Sequence, residues 1–180
     1  LRDALHVRPA VESDLDDITA IYAHAVRHET GTFELTPPDR AEMAARFARI
    51  AALGCPWLVA EAAAGVQGYA YAGPFRERAA YRMTVEDSVY VAEAARGTGV
   101  GRALLEALVE RAARAGFRQM VALIGDSANL GSIRLHSACG FRRVGVMTAC
   151  GFKHGRWVDT VLMQRALGAG AAMVPEPPTV

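Results

Sequence analysis

Cysteine is scarce: Cys55, Cys139 and Cys150 are the three in 180 residues, widely spaced and with no CxxC pair. An odd, scattered set excludes a disulfide framework and a thiolate zinc site, so no metal is expected, and it suits a reducing compartment. Excess charge is lacking too. Twenty Lys and Arg against nineteen Asp and Glu leave a formal net charge of +1, with the signs interspersed, and no basic stripe of the kind that binds nucleic acid is present. There is no apolar run of 18 residues, and Leu1 to Val11 is charged rather than signal-like. Neither a membrane span nor a leader is therefore expected, and the expected location is cytoplasmic. An internal repeat and a second domain are missing as well.

What is present fits one globular domain with a substantial core: 52% of residues are hydrophobic and 22% charged. The domain is expected over residues 1–167, followed by a Gly/Ala/Pro-rich flexible tail over 168–180. His6 to Ala10 reads as a strand. Ser13 is expected to cap a helix with Leu15, Ile18, Ile21, Tyr22 and Val26 on one face. Thr30 to Pro38 reads as a loop, and a second helix starts near Asp39. Strands follow at Trp57–Glu61 and Gln67–Ala72, the second broken by Gly73-Pro74, then an arginine-rich loop and a strand at Ser88–Val91. The strongest helical pattern spans Gly99 to Ala115, with Leu104, Leu105, Leu108 and Val109 at helical spacing and Gly116 closing it. Val121–Ile124, a short helix at Asn129–Cys139, and strands at Phe141–Met147 and Val158–Met163 complete an α/β sandwich with a mixed sheet.

The most informative stretch is Arg96-Gly97-Thr98-Gly99-Val100-Gly101-Arg102, between a strand and the long helix. Unpaired N–H groups at a helix N-terminus, with glycines that let a ligand approach the backbone, suit a diphosphate. A Walker loop is excluded because Arg102-Ala103, not Lys-Ser or Lys-Thr, follows the last glycine. A dinucleotide fingerprint from Gly99 would need a third glycine near Leu104, and none is there.

The chain resembles the GNAT acetyltransferase superfamily at Val89-Tyr90-Val91 followed by Arg96-x-x-Gly99-x-Gly101. The resemblance continues at Asn129-x-x-Ser132-x-x-Leu135-His136-x-x-x-Gly140-Phe141. It implies a mixed, mostly antiparallel sheet with flanking helices, in which the strand before the turn carries a bulge and splays from the strand at Val121–Ile124. It also implies acetyl-CoA as cosubstrate. Val89, Tyr90 and Val91 would offer backbone contacts, Arg96, Gly97, Thr98, Gly99, Val100, Gly101 and Arg102 would hold the pyrophosphate side, and Asn129 the pantetheine.

The resemblance sharpens to the phosphinothricin and methionine sulfone or sulfoximine acetyltransferase branch. Ala72-Gly73-Pro74-Phe75-Arg76, Ala80-Tyr81-Arg82, Glu86 and Gly151-Phe152-Lys153-His154-Gly155-Arg156-Trp157 carry it. The implied acceptor is the α-amine of a small amino acid. Contacts would come from Phe33, Arg76, Glu77, Arg78, Tyr81, Glu86, Asp87 and Ser88, and homodimerisation is common in the branch. An α-ammonium must lose a proton before attack, which makes Glu86 the candidate base. A carboxylate that only orients substrate or pairs with an arginine is the other reading. His136, where many superfamily members have a tyrosine, is either an acid for the leaving thiolate or a packing residue. Arg76, Arg78 and Tyr81 either recognise a carboxylate or phosphinate or form a solvated basic loop. Phe33 either walls the pocket or caps the core. Two further functions stay open, an acetyltransferase for protein N-termini or lysines and a coenzyme-binding sensor without turnover.

Overall fold

Leu15, Ile18, Tyr22 and Val26 repeat at helical spacing, and in the computed structural model, which describes residues 5–174, all four are buried on helix α1 (Leu15–His28). Ser13 does not cap that helix. Residues Glu12–Asp14 form a 3₁₀ turn ahead of it, where the Asp14 carboxylate accepts the Val11 N–H at 2.8 Å and both Nη atoms of Arg8 at 2.7 and 2.8 Å. An aspartate with an arginine at hand outcompetes a neighbouring serine for the entry to the helix. Helix α2 (Arg40–Ala52) starts as expected, its cap Asp39 accepting the Glu42 N–H at 2.8 Å.

Among the described residues seven strands form one sheet: β1 (His6–Pro9), β2 (Trp57–Ala62), β3 (Gly65–Pro74), β4 (Thr84–Val91), β5 (Gln119–Gly125), β6 (Arg142–Lys153) and β7 (Arg156–Ala166). Their order is β1-β2-β3-β4-β5-β7-β6, and β4 against β5 is the single parallel pairing. Gly73-Pro74 does not break β3, because Pro74 still pairs with Val85 at the strand end, where a missing N–H costs no ladder bond. β6 is longer than its sequence suggests and turns through His154-Gly155 into β7, with register shifts at Arg143/Gly145 and Met147/Gly151.

Helices cover both faces. The Gly68 face of β3 meets Val100 and Leu104 of α3 (Val100–Arg114), and the opposite face, at Gly73, meets Ile50 of α2. Leu104, Leu105 and Leu108 of α3 are fully buried, each contributing about 2 kcal/mol relative to exposure. Helix α4 (Leu130–Ala138) packs beside α3, β5 and β6. The expected tail starts with a 3₁₀ turn at Gly170–Ala172 in which Gly170 is buried, and its residues 175–180 lie outside the described range.

The feature that positions the site is a parting of strands. β4 and β5 pair over Thr84–Glu86 against Gln119–Val121 and no further. The expected bulge in β4 is absent, since β3 and β4 stay in continuous register from Gly68↔Val91 to Pro74↔Val85. The strands separate without one.

Candidate active site

The parted strands open a cleft of about 1040 Å³. It is bounded by β4, β5, the turn before α3, the start of α4 and the α1–α2 loop. On β4 the Ala92 N–H goes to Gln67 O of β3 at 2.9 Å. Alternation along the strand therefore turns the backbone N–H and C=O of Val89 and Val91 toward the gap, and those of Tyr90 toward β3. Two of the three expected backbone contributors face the cleft through their main chain. Tyr90 lines it, while its ring packs edge-on at 5.0 Å against Tyr22.

The glycine turn reaches the same cleft. Gly97 (φ 73°) and Gly99 (φ 98°) hold left-handed conformations that a side chain would strain, and a Cβ at either would meet nothing within 4 Å. Gly99 is the N-cap of α3, so the open backbone there is a 15-residue helix's N-terminus and a cradle fitted to a diphosphate. Arg96 and Arg102 flank it, Arg96 paired with Glu29 and Arg102 with Glu106 at 2.8 Å. Glu106 is exposed, while Glu29 is partly buried and lines the cleft itself. Thr98 donates its hydroxyl to Ala95 O at 2.7 Å and shapes the turn, and the buried Val100 anchors it. Asn129 caps α4 by accepting the Ser132 N–H at 3.2 Å and lines the cleft with the rest of its amide. Sequence reasoning missed Glu29, Tyr71, Arg134, Met147, Cys150 and Thr160 in this lining. Five of them come from strands or loops without a motif, and Arg134 from α4.

At the point of parting, Glu86, Asp87 and Ser88 all line the cleft. Burial pushes the Glu86 carboxyl up to about 7, with Arg76, whose Nη1 stands 3.8 Å away, opposing and Asp87 reinforcing the shift. A half-buried carboxylate that titrates near neutrality is poised for proton abstraction. His136 is 4% exposed and lines the same cleft, with Nε2 2.9 Å from Asp87 Oδ2. Phe33 also stands in the wall, with Thr32 beside it. The α1–α2 loop that carries them is fastened across the molecule. The Thr32 carbonyl accepts the buried Lys153 ammonium at 2.7 Å, and the Thr30 hydroxyl bonds Asp126 at 3.2 Å.

The other expected acceptor residues lie elsewhere. Arg76, Glu77, Arg78 and Tyr81 line a second hollow of about 420 Å³ together with Cys55 and Phe117. Arg76 stacks on Phe75 at 4.1 Å and is the member that reaches Glu86. Glu86 thus stands between the cleft and this basic hollow. Among the described residues no cluster of His, Cys, Asp and Glu could hold a metal, and no helix is long and apolar enough to cross a membrane.

Residues 7–162 match the acetyltransferase (GNAT) domain family. The chain is 53% identical over 175 residues to the phosphinothricin N-acetyltransferase of Alcaligenes faecalis, covering 97% of this chain and 89% of that one. It is 46% identical over 159 residues to the L-methionine sulfoximine/L-methionine sulfone acetyltransferase of Pseudomonas aeruginosa, covering 88% and 92%. Among solved structures, a GNAT superfamily phosphinothricin acetyltransferase from Sinorhizobium meliloti, in complex with acetyl-CoA, superposes with a TM-score of 0.93. That pair shares 52% identity and covers 96% of this chain and 93% of the other.

Proposed function

The chain belongs to the GNAT acetyltransferase family and is an acetyl-CoA-dependent N-acetyltransferase, and we propose that its acceptor is the α-amine of a small amino acid of the phosphinothricin, methionine sulfone or methionine sulfoximine type. The observation that carries the reading is the place of Glu86, a carboxylate of near-neutral pKa between a coenzyme-shaped cleft and a hollow rich in arginine.

Acetyl-CoA supplies the thioester. The α3 N-terminus, with Gly97 through Arg102, holds its diphosphate, while Val89 and Val91 pair with the pantetheine arm as an added strand would, beside Asn129. Glu86 takes a proton from the acceptor ammonium, directly or through water, so that the amine can attack. The Val91 N–H, turned toward the gap, meets the charge developing on the carbonyl oxygen. His136 faces the charge left on sulfur. Arg76, Arg78 and Tyr81, with Glu77 beside them, receive the acidic groups of the acceptor from the second hollow, where guanidinium forks suit a carboxylate or phosphinate. Phe33, Asp87 and Ser88 bound the acceptor from the cleft side.

We place the enzyme in the cytoplasm, where its three free cysteines stay reduced. It works as a homodimer. β6 is an edge strand with Val144, Met147 and Phe152 exposed, and Trp157 at the start of β7 is 65% exposed. Such an edge in a soluble protein calls for a covering partner, and a second copy offers the same surface.

The test is release of free thiol from acetyl-CoA, comparing L-phosphinothricin, L-methionine sulfone, L-methionine sulfoximine and a lysine-bearing peptide at matched concentrations. Fast release with one or more of the three amino acids is expected. Release with the peptide alone would make the chain a protein acetyltransferase, and binding of acetyl-CoA with no release at all would make it a sensor.

A further inference from the structure

His136 is engaged at both ring nitrogens. Nδ1 lies 2.8 Å from the Ser132 carbonyl oxygen, one helical turn back, and Nε2 lies 2.9 Å from Asp87 Oδ2. A carbonyl oxygen can only accept, so Nδ1 carries a proton. One more proton then lies between Nε2 and the Asp87 carboxylate. Imidazole is the stronger base of the two by about 2–3 pKa units in water, which places that proton on the ring. Both partners are buried, His136 at 4% and Asp87 at 7% exposure, and Phe141 stands edge-on to the ring at 5.1 Å. The Ser132 hydroxyl, 3.3 Å from Nδ1, is a second neighbour on the side already taken by the carbonyl. The ring thus has two N–H bonds, each pointed at an acceptor of this chain, and carbon on its remaining edge.

We infer that Asp87 is a positioning residue that keeps His136 doubly protonated with both N–H groups occupied, so that His136 serves the cleft as a fixed cation and not as a proton donor. The identity of the charge it meets, a thiolate, rests on the acetyl-transfer reading above. In that step the amine nitrogen forms the C–N bond and its proton passes to Glu86. The C–S bond breaks with its electron pair on sulfur, and the thiolate departs as an anion and takes a proton from solvent. A thiol of pKa about 8.5 is a good enough leaving group for this. His136 ends the cycle with the two protons it began with.

Burial by itself favours the neutral ring, but the hydrogen bond and charge of Asp87, with the Ser132 carbonyl, outweigh it and hold the pKa above the ordinary histidine value. Among the described residues Asp87 on β4 is the charged group bonded to the ring. The next titratable groups are Glu86, on the opposite side of β4, and Cys139 at the end of α4, each of which feels the Asp87 charge. Sequence reading placed Asp87 with the acceptor contacts. The 49-residue separation between Asp87 and His136 concealed the pairing.

Nuclear magnetic resonance of the ¹⁵N-labelled full chain, titrated over about pH 6 to 9 to bracket an ordinary histidine, reads the ring whether or not an acceptor is known. We expect both His136 nitrogens protonated at pH values where free histidine is neutral. Asp87→Asn should show a single N–H there, with its titration moved down from that of the wild type because burial is no longer opposed by the carboxylate charge. A wild-type ring with a bare nitrogen at neutral pH, or identical titrations in wild type and Asp87→Asn, overturns the inference. If Asp87→Asn does not fold, the wild-type ring alone decides.

Thiol release adds the kinetic readout. The wild-type kcat should rise with pH as Glu86 ionises and then stay level. Asp87→Asn should add a falling alkaline limb of about tenfold per pH unit, with KM for acetyl-CoA unchanged, and Asp87→Glu should remove it. A loss in Asp87→Asn that is equal at every pH would show a merely structural residue. Absence of turnover by the wild type would count against the acetyl-transfer reading alone, because the ring measurement stands without it.

Discussion

The ring of Phe33 lies against the backbone of Gly151, so closely that a Cβ at position 151 would stand 2.4 Å from it. Glycine is needed there for contact and not for conformation. Gly151→Ala should drive the ring into the cleft and raise KM for the acceptor by about tenfold, the scale of one misplaced methylene. KM for acetyl-CoA should stay unchanged, because the wall that moves belongs to the α1–α2 loop. Steady-state kinetics with each substrate varied in turn checks the split.

As the proposed base, Glu86 should set the pH profile. With its carboxyl pushed up to about 7, kcat/KM should rise through that pH to a plateau, and Glu86→Gln should lower the plateau by about 10²–10⁴-fold. Stability moves in the opposite sense. The folded state holds the Glu86 proton more tightly than the unfolded chain does, whose carboxyl titrates near 4.5. The stability contribution is therefore complete below 4.5 and is lost as pH rises through about 7. Thermal melts should show Glu86→Gln with a higher Tm than wild type at about pH 8 and the difference vanishing at about pH 4.

Gly99 tests the coenzyme cradle. Gly99→Glu places a side chain at φ 98° and a carboxylate beside the diphosphate position. Backbone strain should cost about 1–3 kcal/mol. Calorimetry should show acetyl-CoA binding weakened by more than about a hundredfold, since charge repulsion and loss of the open backbone act together. Retention of wild-type affinity in a folded variant would remove the diphosphate from this turn.

Trp157 tests the dimer. Trp157→Asp puts a charge on the exposed apolar edge, against Phe152, with which its ring makes a T-shaped contact at 5.3 Å. Sedimentation should show the wild type as a dimer and the variant as a monomer with an unchanged circular dichroism spectrum. A monomeric wild type would leave the edge strand for another partner.

The glycine turn, the α3 N-terminus and the Asn129 cap were legible in the sequence because each is local. A turn, a helix N-terminus and a cap fall within consecutive residues, and each uses a residue type with few other uses. The mixed, mostly antiparallel sheet and the parted β4 and β5 were implied by the resemblance, but the absent bulge was not, since two strands can diverge without leaving a mark on either. The acceptor half was harder to read. Arg76 and Phe33, assigned to one contact set, sit in different hollows, with Glu86 between them. Gly151 to Trp157 entered the sequence reading only through the resemblance, yet most of it is paired strand, because an exposed edge strand need not alternate apolar and polar residues.

The acceptor wall is assembled from widely spaced parts of the chain: Lys153 holds the Thr32 carbonyl across 121 positions, and a Cβ at Gly125 would stand 1.9 Å from the Thr30 oxygen. On the proposed function, acceptor choice is therefore not the property of one loop. A transplanted α1–α2 segment would arrive without the glycines that leave it room and the lysine that fastens it, whereas the coenzyme turn could be moved as a continuous piece. Changes that reshape this wall would thus fall on β5, β6 and the β6–β7 hairpin and leave the glycine turn before α3 as it is.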